Sequence, residues 1–252
     1  MLTFERQEAI LQLLELQKVA KLSELTQATG ASESTIRRDL SELEKQKKIK
    51  RIHGGASLPT RKTDEPSLQD KEFSFTEAKQ AIGRLAAGLI KDGDSIFVDA
   101  GSSTAAILPW IQARRITIVT NGLNIAAAAA DNDFTTYVLG GYVKSGTRAF
   151  IGRAAVEALE QYRFDKAFLG TNGVDADFGY STPDPEEASI KQLALRQAQE
   201  GYVLADASKL DQTSFSHIAR LEEAVLLTEM SAEHESLLHR MRDYTIVKAV
   251  EL

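Results

Sequence analysis

The sequence predicts an α/β protein in two parts: a small helical head with a winged helix-turn-helix, and a larger body built on a helix-covered parallel sheet. Three observations carry this. Residues 3–46 hold three short helical patterns, with a glycine break before the third. Beyond residue 75, short apolar runs alternate with helical patterns, the signature of a parallel, doubly covered sheet. The charge also changes sign: residues 1–62 carry 12 Lys+Arg against 8 Asp+Glu, whereas the rest of the chain carries 18 against 28. A basic head on an acidic body suggests that only the head meets a polyanion, although a short window also drifts in charge by chance.

In the head, Ile10, Leu13 and Leu14 put an apolar stripe on the first helix. Leu22, Leu25 and Ala28 do so on the second, which should stop at Gly30, a natural residue for a helix end. Ala31 makes the turn and Ser32 is a candidate N-cap. In the third helix Ile36, Leu40 and Leu43 fall on one face and should point to the core. The opposite face offers Ser34, Thr35, Arg37, Arg38 and Ser41. Short hydroxyls at the helix start, with two arginines one turn on, suit a helix entering a major groove, where arginine grips guanine O6/N7 or phosphate.

Lys47-Lys48-Ile49-Lys50-Arg51-Ile52-His53-Gly54-Gly55 follows. Four cations among five residues make sense as a β-wing lying along phosphates, its turn made by the glycines. Each piece alone also fits a solvated helix face; their order and spacing together point to DNA. The candidate DNA contacts are Ser32, Ser34, Thr35, Arg37, Arg38, Ser41, Lys48, Lys50, Arg51 and His53, the histidine as a packing or phosphate contact. Residues 60–75 are polar, aperiodic and contain proline, which reads as a linker. The expected boundaries are 1–58 for the head, 59–75 for the linker and 76–252 for the body.

In the body, Ser95–Asp99, Ile116–Thr120, Thr136–Leu139, Lys166–Gly170, Tyr202–Ala205, Ala224–Thr228 and Thr245–Val250 read as strands. Thr104–Gln112 and Glu186–Gln199 read as helices between them, and Ala126–Ala130 as the tightly packed face of another. The first strand runs into Ala100-Gly101-Ser102-Ser103-Thr104. A small-residue loop between a strand and a helix N-terminus makes an anion cradle; a plain tight turn fits the same residues. Other strand ends are similar: Thr120-Asn121-Gly122, Leu139-Gly140-Gly141, Gly170-Thr171-Asn172-Gly173 and Asp206-Ala207-Ser208-Lys209. Ligands of open parallel sheets sit outside the carboxyl ends of strands, so these ends favour one shared pocket.

Charged groups complete the candidate pocket. Asp99 ends the first strand. Glu187 and Lys191 stand four apart on a helix, as site residues or as an ordinary surface ion pair. Lys144, Arg148 and Lys209 are candidate phosphate clamps. Two functions are consistent with this set. One is a regulator whose DNA binding responds to a ligand. The other is a sugar-phosphate isomerase with an appended head, in which Asp99 and Glu187 would move protons. No histidine lies near these loops, and His217, His234 and His239 fall in segments without motif character.

Ser34-Thr35-Ile36-Arg37-Arg38-Asp39-Leu40 and Arg51-Ile52-His53-Gly54-Gly55-Ala56 resemble the head of the DeoR/GlpR bacterial transcriptional regulators. Asp99-Ala100-Gly101-Ser102-Ser103-Thr104, Thr120-Asn121, Leu139-Gly140-Gly141, Gly170-Thr171-Asn172-Gly173 and Asp206-Ala207-Ser208-Lys209 resemble that family's C-terminal domain. The resemblance covers nearly the whole chain. It implies a winged helix-turn-helix repressor whose body has a ribose-5-phosphate-isomerase-like fold and binds a phosphorylated sugar. Arg163–Gly173 and Thr182–Ala188 look most like the fructose-operon regulators of Gram-positive bacteria. Lactose-operon regulators usually show Gly-Pro-Gly-Thr-Thr where this chain has Asp-Ala-Gly-Ser-Ser-Thr, which puts fructose 1-phosphate ahead of tagatose 6-phosphate. The implied effector contacts are Asp99, Gly101, Ser102, Ser103, Thr104, Thr120, Asn121, Gly140, Gly141, Lys144, Arg148, Gly170, Asn172, Glu187, Lys191, Asp206 and Lys209.

Composition limits the alternatives. At 43% hydrophobic and 26% charged, the chain has the make-up of a folded protein, which excludes wholesale disorder. It has no cysteine, which removes disulfides, thiolate metal sites and cysteine nucleophiles, and fits a reducing cytosol. No apolar run approaches the roughly 20 residues of a membrane span, and the charged start does not read as a signal peptide. The expected protein is cytoplasmic, with no metal and no cofactor. Its expected partners are double-stranded operator DNA, a phosphorylated sugar and a second copy of itself, as a homodimer or homotetramer, with no membrane.

Overall fold

Apolar residues spaced at three and four along 3–46 wind into helices that close on one another. A computed structural model describes residues 2–17, 19–46, 48–52, 54–58, 61–230 and 234–251. The chain divides into two units, Met1–Arg61 and Lys62–Leu252.

In the first unit, α1 (Thr3–Gln17) buries Ile10 and Leu14, and a short β1 (Val19–Lys21) leads into α2 (Leu22–Thr29). On α2 Leu22 and Leu25 are buried, but Ala28 is exposed and Thr29 takes the expected third place. At 3.6 residues per turn Thr29 lies between the two leucines on the helix surface, and its hydroxyl is satisfied by donating to the Leu25 carbonyl (2.6 Å). Gly30 ends the helix in the left-handed region, φ +66°, its N–H bonded to the Thr26 carbonyl. Ser32 caps α3 (Glu33–Lys45), which buries Ile36, Leu40 and Leu43. Asp39, also buried, takes a forked contact from Arg6 of α1 at 2.5 and 3.1 Å, tying the two helices together. The wing is β2 (Lys50–Ile52) and β3 (Gly55–Ser57), antiparallel, with Ile52 opposite Gly55 and β1 on the far side of β3. These elements share one core with Ile49 and Ala56.

The second unit opens with α4 (Leu68–Glu72) and α5 (Thr76–Ala87). The expected linker is therefore folded in part: Leu68 is buried, and α4 carries a Ser67–Asp70 capping box. Then follow β4 (Ser95–Val98), α6 (Ser102–Ala105), β5 (Thr117–Thr120), α7 (Leu123–Asp131), β6 (Thr135–Val138), the hairpin β7 (Tyr142–Lys144) and β8 (Ala149–Ile151), and α8 (Arg153–Leu159). The remainder is β9 (Phe164–Gly170), β10 (Gly173–Asp175), β11 (Gly179–Thr182), α9 (Pro185–Gln197), β12 (Ala198–Leu204), β13 (Ser216–Ala219), β14 (Val225–Glu229), α10 (Glu235–Met241) and β15 (Val247–Val250).

All seven predicted strands lie in one seven-stranded sheet, ordered β15-β14-β12-β9-β4-β5-β6, with every neighbouring pair parallel. Alternate residues of a strand serve different cores. Phe97, Leu169 and Leu226 face one with α8, α9 and α10; Ile96, Val98 and Leu227 face the other with α5 and α7. The continuous apolar runs in the sequence are the consequence. A small antiparallel sheet, β10-β11-β13, stands beside the main one.

The helix expected over Thr104–Gln112 is broken. It is reduced to α6 and a 3₁₀ turn at Leu108–Trp110, because Pro109 lacks the N–H that would continue it. In the alanine run of α7 only Ala129 is fully buried. Gly83 lets α5 back onto the loop after α6: a Cβ there would lie 2.3 Å from the Ala106 carbonyl oxygen. Among the described residues, no helix is long and apolar enough to cross a membrane.

Candidate functional site

The head presents its polar face as the pattern requires. Ser34, Arg37 and Arg38 are exposed on α3, with Thr35 and Ser41 half-buried between them. Ser32 Oγ accepts from the Thr35 amide (3.4 Å) and lies 3.0 and 2.9 Å from the hydroxyls of Ser34 and Thr35, so these three are fixed at the helix start. Arg51 of the wing donates to Ser41 Oγ (3.2 Å), which itself donates to the Arg37 carbonyl, while the Arg51 amide is held by Glu44. The wing is thereby registered against α3. Arg37 reaches Glu33 only at 3.5 Å with both side chains exposed, a pair weak enough to exchange for phosphate or base. Lys48 and Lys50 are exposed beside it. His53 and Lys47 lie outside the described residues.

In the body the chain runs from β4 through β5 to β6 on one side, and from β9 through β12 to β15 on the other. The order therefore reverses between β4 and β9, and the crevice at their carboxyl ends is the topological switch point. Asp99 stands there, 1% exposed. Its Oδ2 takes the Gly170 amide (2.9 Å) and the Lys191 ammonium; its Oδ1 is buried with no hydrogen-bond partner among the described residues. Burial weakens the hold of Lys191, 3% exposed, on its proton, but Asp99 and Glu187 outweigh that and raise its affinity for the proton. Of the two readings open for Glu187 and Lys191, the ordinary surface ion pair does not hold: both are buried, and the Lys191 ammonium contacts Asp99. Glu187 is buried and turns to Thr147 Oγ1 (2.7 Å) and Lys144 (3.2 Å).

Lys144 is not an open phosphate clamp. Its ammonium is enclosed by Glu65 (2.5 Å), Asp184 (2.6 Å) and Glu187, and despite burial the hydrogen bonds to Asp184 and Glu65 raise its affinity for the proton. The three carboxylates converge on Lys144, whose single positive charge offsets only part of theirs, with Lys71 adding a second at Glu65. Arg148 is exposed, and among the described residues its backbone, not its side chain, is engaged, through bonds to Lys144 and Leu123.

Several predicted contacts instead shape the loop. Thr104 Oγ1 donates to the Asp99 carbonyl (2.7 Å), Thr120 Oγ1 donates to the Val98 carbonyl (2.6 Å), and Asn121 Oδ1 accepts from the Ala100 amide (2.9 Å). All three side chains are buried and bonded to the backbone, Asn121 through its Oδ1. Asn172 is held by Thr182 (3.2 Å). Gly140 and Gly141 are exposed on the turn into β7, where Gly141 has φ +126° and a Cβ would lie 2.7 Å from the Ile151 carbonyl oxygen. Gly101, Ser102 and Ser103 are half-buried; the two serine hydroxyls make no hydrogen bond among the described residues. Ser102 lines a cleft of 210 Å³ together with Glu72, Thr76, Lys79 and Gln80.

At the end of β12, Asp206 Oδ1 caps the turn at Ser208, and Oδ2 is buried without a partner among the described residues. Lys209 is half-buried and donates to Ser208 Oγ (3.0 Å). The sequence reading missed several neighbours. Lys79 is buried, donates to the Ser74 carbonyl (2.6 Å), and feels the charges of Asp206 and Lys209. Glu229, buried at the end of β14, accepts from the Ala207 amide (2.8 Å) and leaves Oε2 without a partner among the described residues. Glu65 and Lys71 sit in the stretch read as linker. Only Glu229 carried a sequence signal, as an acid at the end of a strand.

A recognition helix with a registered wing, followed by an α/β sheet with buried charge at its switch point, defines a DNA-binding regulator with a sensor body. The DeoR-like helix-turn-helix domain model matches residues 6–62, and the DeoR C terminal sensor domain model matches residues 74–229. The chain belongs to the DeoR family of transcriptional regulators. It is 43% identical over 252 residues, the full length of both chains, to the uncharacterized HTH-type transcriptional regulator FruR of Bacillus subtilis (strain 168). It is 38% identical over 196 residues to the lactose phosphotransferase system repressor of Staphylococcus epidermidis, covering 76% of this chain and 78% of that one. Among solved structures, ribose 5-phosphate isomerase from Methanocaldococcus jannaschii aligns over 54% of this chain and 55% of its own, at a TM-score of 0.41 and 19% identity. The relatives are named regulators and repressors, and the isomerase alternative is not favoured.

Proposed function

We propose that the chain represses a sugar-catabolic operon and that a phosphorylated sugar, with fructose 1-phosphate the leading candidate, modulates its grip on DNA. The observation that carries this is the Asp99–Lys191 pair: two buried, opposite charges at the switch point, with one carboxylate oxygen unpartnered. A site of this kind offers a cation to phosphate and an acceptor to a sugar hydroxyl. The amides of Gly101–Ser103 and the two serine hydroxyls would take the phosphate, Asp99 and Glu187 the hydroxyls, and Lys209 the far end. Thr104, Thr120 and Asn121 would hold the loop in shape. Two heads of a dimer would read operator half-sites, Arg37 and Arg38 at the bases or phosphates, Lys48, Lys50 and Arg51 along the backbone.

Thermal unfolding with fructose 1-phosphate, fructose 6-phosphate, tagatose 6-phosphate, ribose 5-phosphate and free fructose tests the sensor. A ligand at ~100 times its Kd adds about 2.7 kcal/mol to the folded state, and each kcal/mol is worth roughly 2–4 °C in a chain of this size. A rise with fructose 1-phosphate and none with fructose supports the reading. No rise with any phosphosugar removes it.

A further inference from the structure

The chain that leaves the head is fastened to the body at once. Lys62 donates from Nζ to Thr213 Oγ1 (2.7 Å), and its carbonyl accepts from the Phe215 amide (3.0 Å). Glu65 spends one oxygen on Lys71 (3.1 Å) and the other on Lys144 (2.5 Å). Leu68 is buried, with its amide on the Gly146 carbonyl (2.8 Å). Lys79 holds the end of the segment by the carbonyls of Lys71 and Ser74. A polar, aperiodic stretch is thereby made into a strap whose order depends on residues about 80 and 150 positions away in sequence, a dependence of the kind that distinguishes tertiary order from local propensity.

The strap is wired to the switch point. From Glu65 the contacts run through Lys144 to Glu187, and one turn further along α9 stands Lys191, which holds Asp99. These groups share their charge: Lys144 is surrounded by three carboxylates, and the charge of Glu65 helps keep Lys191 protonated. A phosphate arriving at Lys191 adds negative charge where acids already outnumber lysines. The arrangement must then give way somewhere. Asp99 follows β4, Asp184 caps α9 and Glu187 lies in its first turn, whereas Glu65 lies on the segment before α4, so it can leave without moving a strand of the main sheet or α9, at the cost of its contacts to Lys71 and Lys144.

We propose that Glu65 is a positioning residue through which occupancy of the strand-end pocket sets the conformation of residues 62–72, the stretch by which the body carries the head. The inference rests on the effector reading above. Ligand binding and strap release then become two sides of one equilibrium, each biasing the other by the same factor.

The test compares wild type, Glu65→Gln and Leu68→Ala, with fructose 1-phosphate as the probe and inorganic phosphate as the control. Operator affinity is read by fluorescence anisotropy, and strap order by hydrogen–deuterium exchange of peptides spanning 62–72. In wild type the phosphosugar should change operator affinity by about 5–150-fold and alter exchange in the strap. Glu65→Gln keeps the side-chain shape and loses the charge; it should still bind operator and phosphosugar, exchange faster over 62–72, and lose the operator response. Leu68→Ala loosens the same segment through packing and should reproduce that loss, so a folding failure of one variant leaves the other to decide. A wild-type-sized response in either folded variant overturns the inference and leaves the effector reading standing. A wild type whose operator affinity ignores fructose 1-phosphate removes the effector reading, and the inference with it.

Discussion

The ammonium of Lys191 and the carboxylate of Asp99 form a buried ion pair between α9 and the end of β4, 92 positions apart in sequence. Both groups are out of water, so their attraction only offsets the cost of taking them there. Removing one partner is a different matter, because the other charge is left buried and alone. Asp99→Asn and Lys191→Met should each destabilise the body by about 3–5 kcal/mol. The double variant should recover a large part of that loss, since no lone charge is left. Urea unfolding of the three variants checks this. Additive losses in the double variant would show that the two residues do not act as a pair.

The recognition helix makes a separate prediction. Arg37 and Arg38 are exposed, and among the described residues the Arg37 side chain is held only by a long contact to Glu33. Arg37→Ala or Arg38→Ala should weaken operator binding by about 1–3 kcal/mol wherever the arginine reads a base edge. Binding of a phosphosugar to the body should not change. Anisotropy titrations on operator and on scrambled duplex measure both effects, and unchanged operator affinity in both variants would sink the assignment of α3.

The sequence was informative where one residue type had one physical use. The central strands were legible because a strand buried on both faces is apolar throughout, and the polar or glycine-containing residues that follow five of the seven marked their carboxyl ends; the edge strands β6 and β15, more exposed, were legible by their β-branched residues. Gly30 and Ser32 were legible because a left-handed helix end and an N-cap each favour few residues. Side chains with several uses were not. Thr104, Thr120 and Asn121 are as fit to brace a loop as to touch a ligand, and the structure has them bracing. Lys144 looked like a clamp because nothing near it in sequence shows Glu65, Asp184 and Glu187 converging on it. The strap was invisible for the same reason: its partners are remote, and locally it has the composition of a tether.

Salt dependence separates the wing from the recognition helix. Lys48, Lys50 and Arg51 lie on or beside β2, with Arg51 steered by Ser41 and Glu44. A cation on the phosphate backbone releases counterions when it binds, whatever the base sequence. Neutralising any one of the three should weaken operator and scrambled duplex alike. It should also flatten the plot of log affinity against log salt by roughly 0.9 per lost phosphate contact. A slope that does not move for any of them would take the wing off the backbone.

Buried Glu229 and half-buried Glu65 should shift stability with pH in opposite directions. Burial pushes the Glu229 carboxyl above its ordinary range, against one amide hydrogen bond from Ala207. The folded state therefore holds this proton more tightly than the unfolded chain. Its contribution is present below the unfolded value, about 4.5, and is lost as pH rises through the raised one. Burial acts the same way on Glu65, but Lys71 and Lys144 outweigh it and bring its carboxyl below the ordinary range. Its contribution is present above the unfolded value and is lost as pH falls through the lowered one. Glu229→Gln should therefore be more stable than wild type near pH 8, with the gap closing towards pH 4. Glu65→Gln should be less stable than wild type at pH 8, and its gap should also close on acidification. Urea midpoints at pH 4, 6 and 8 measure both. The same sign of change for the two variants at pH 8 would mean that at least one of the two charges is not held as the structure has it, because one lies beside two lysines and the other has a buried oxygen with no partner among the described residues.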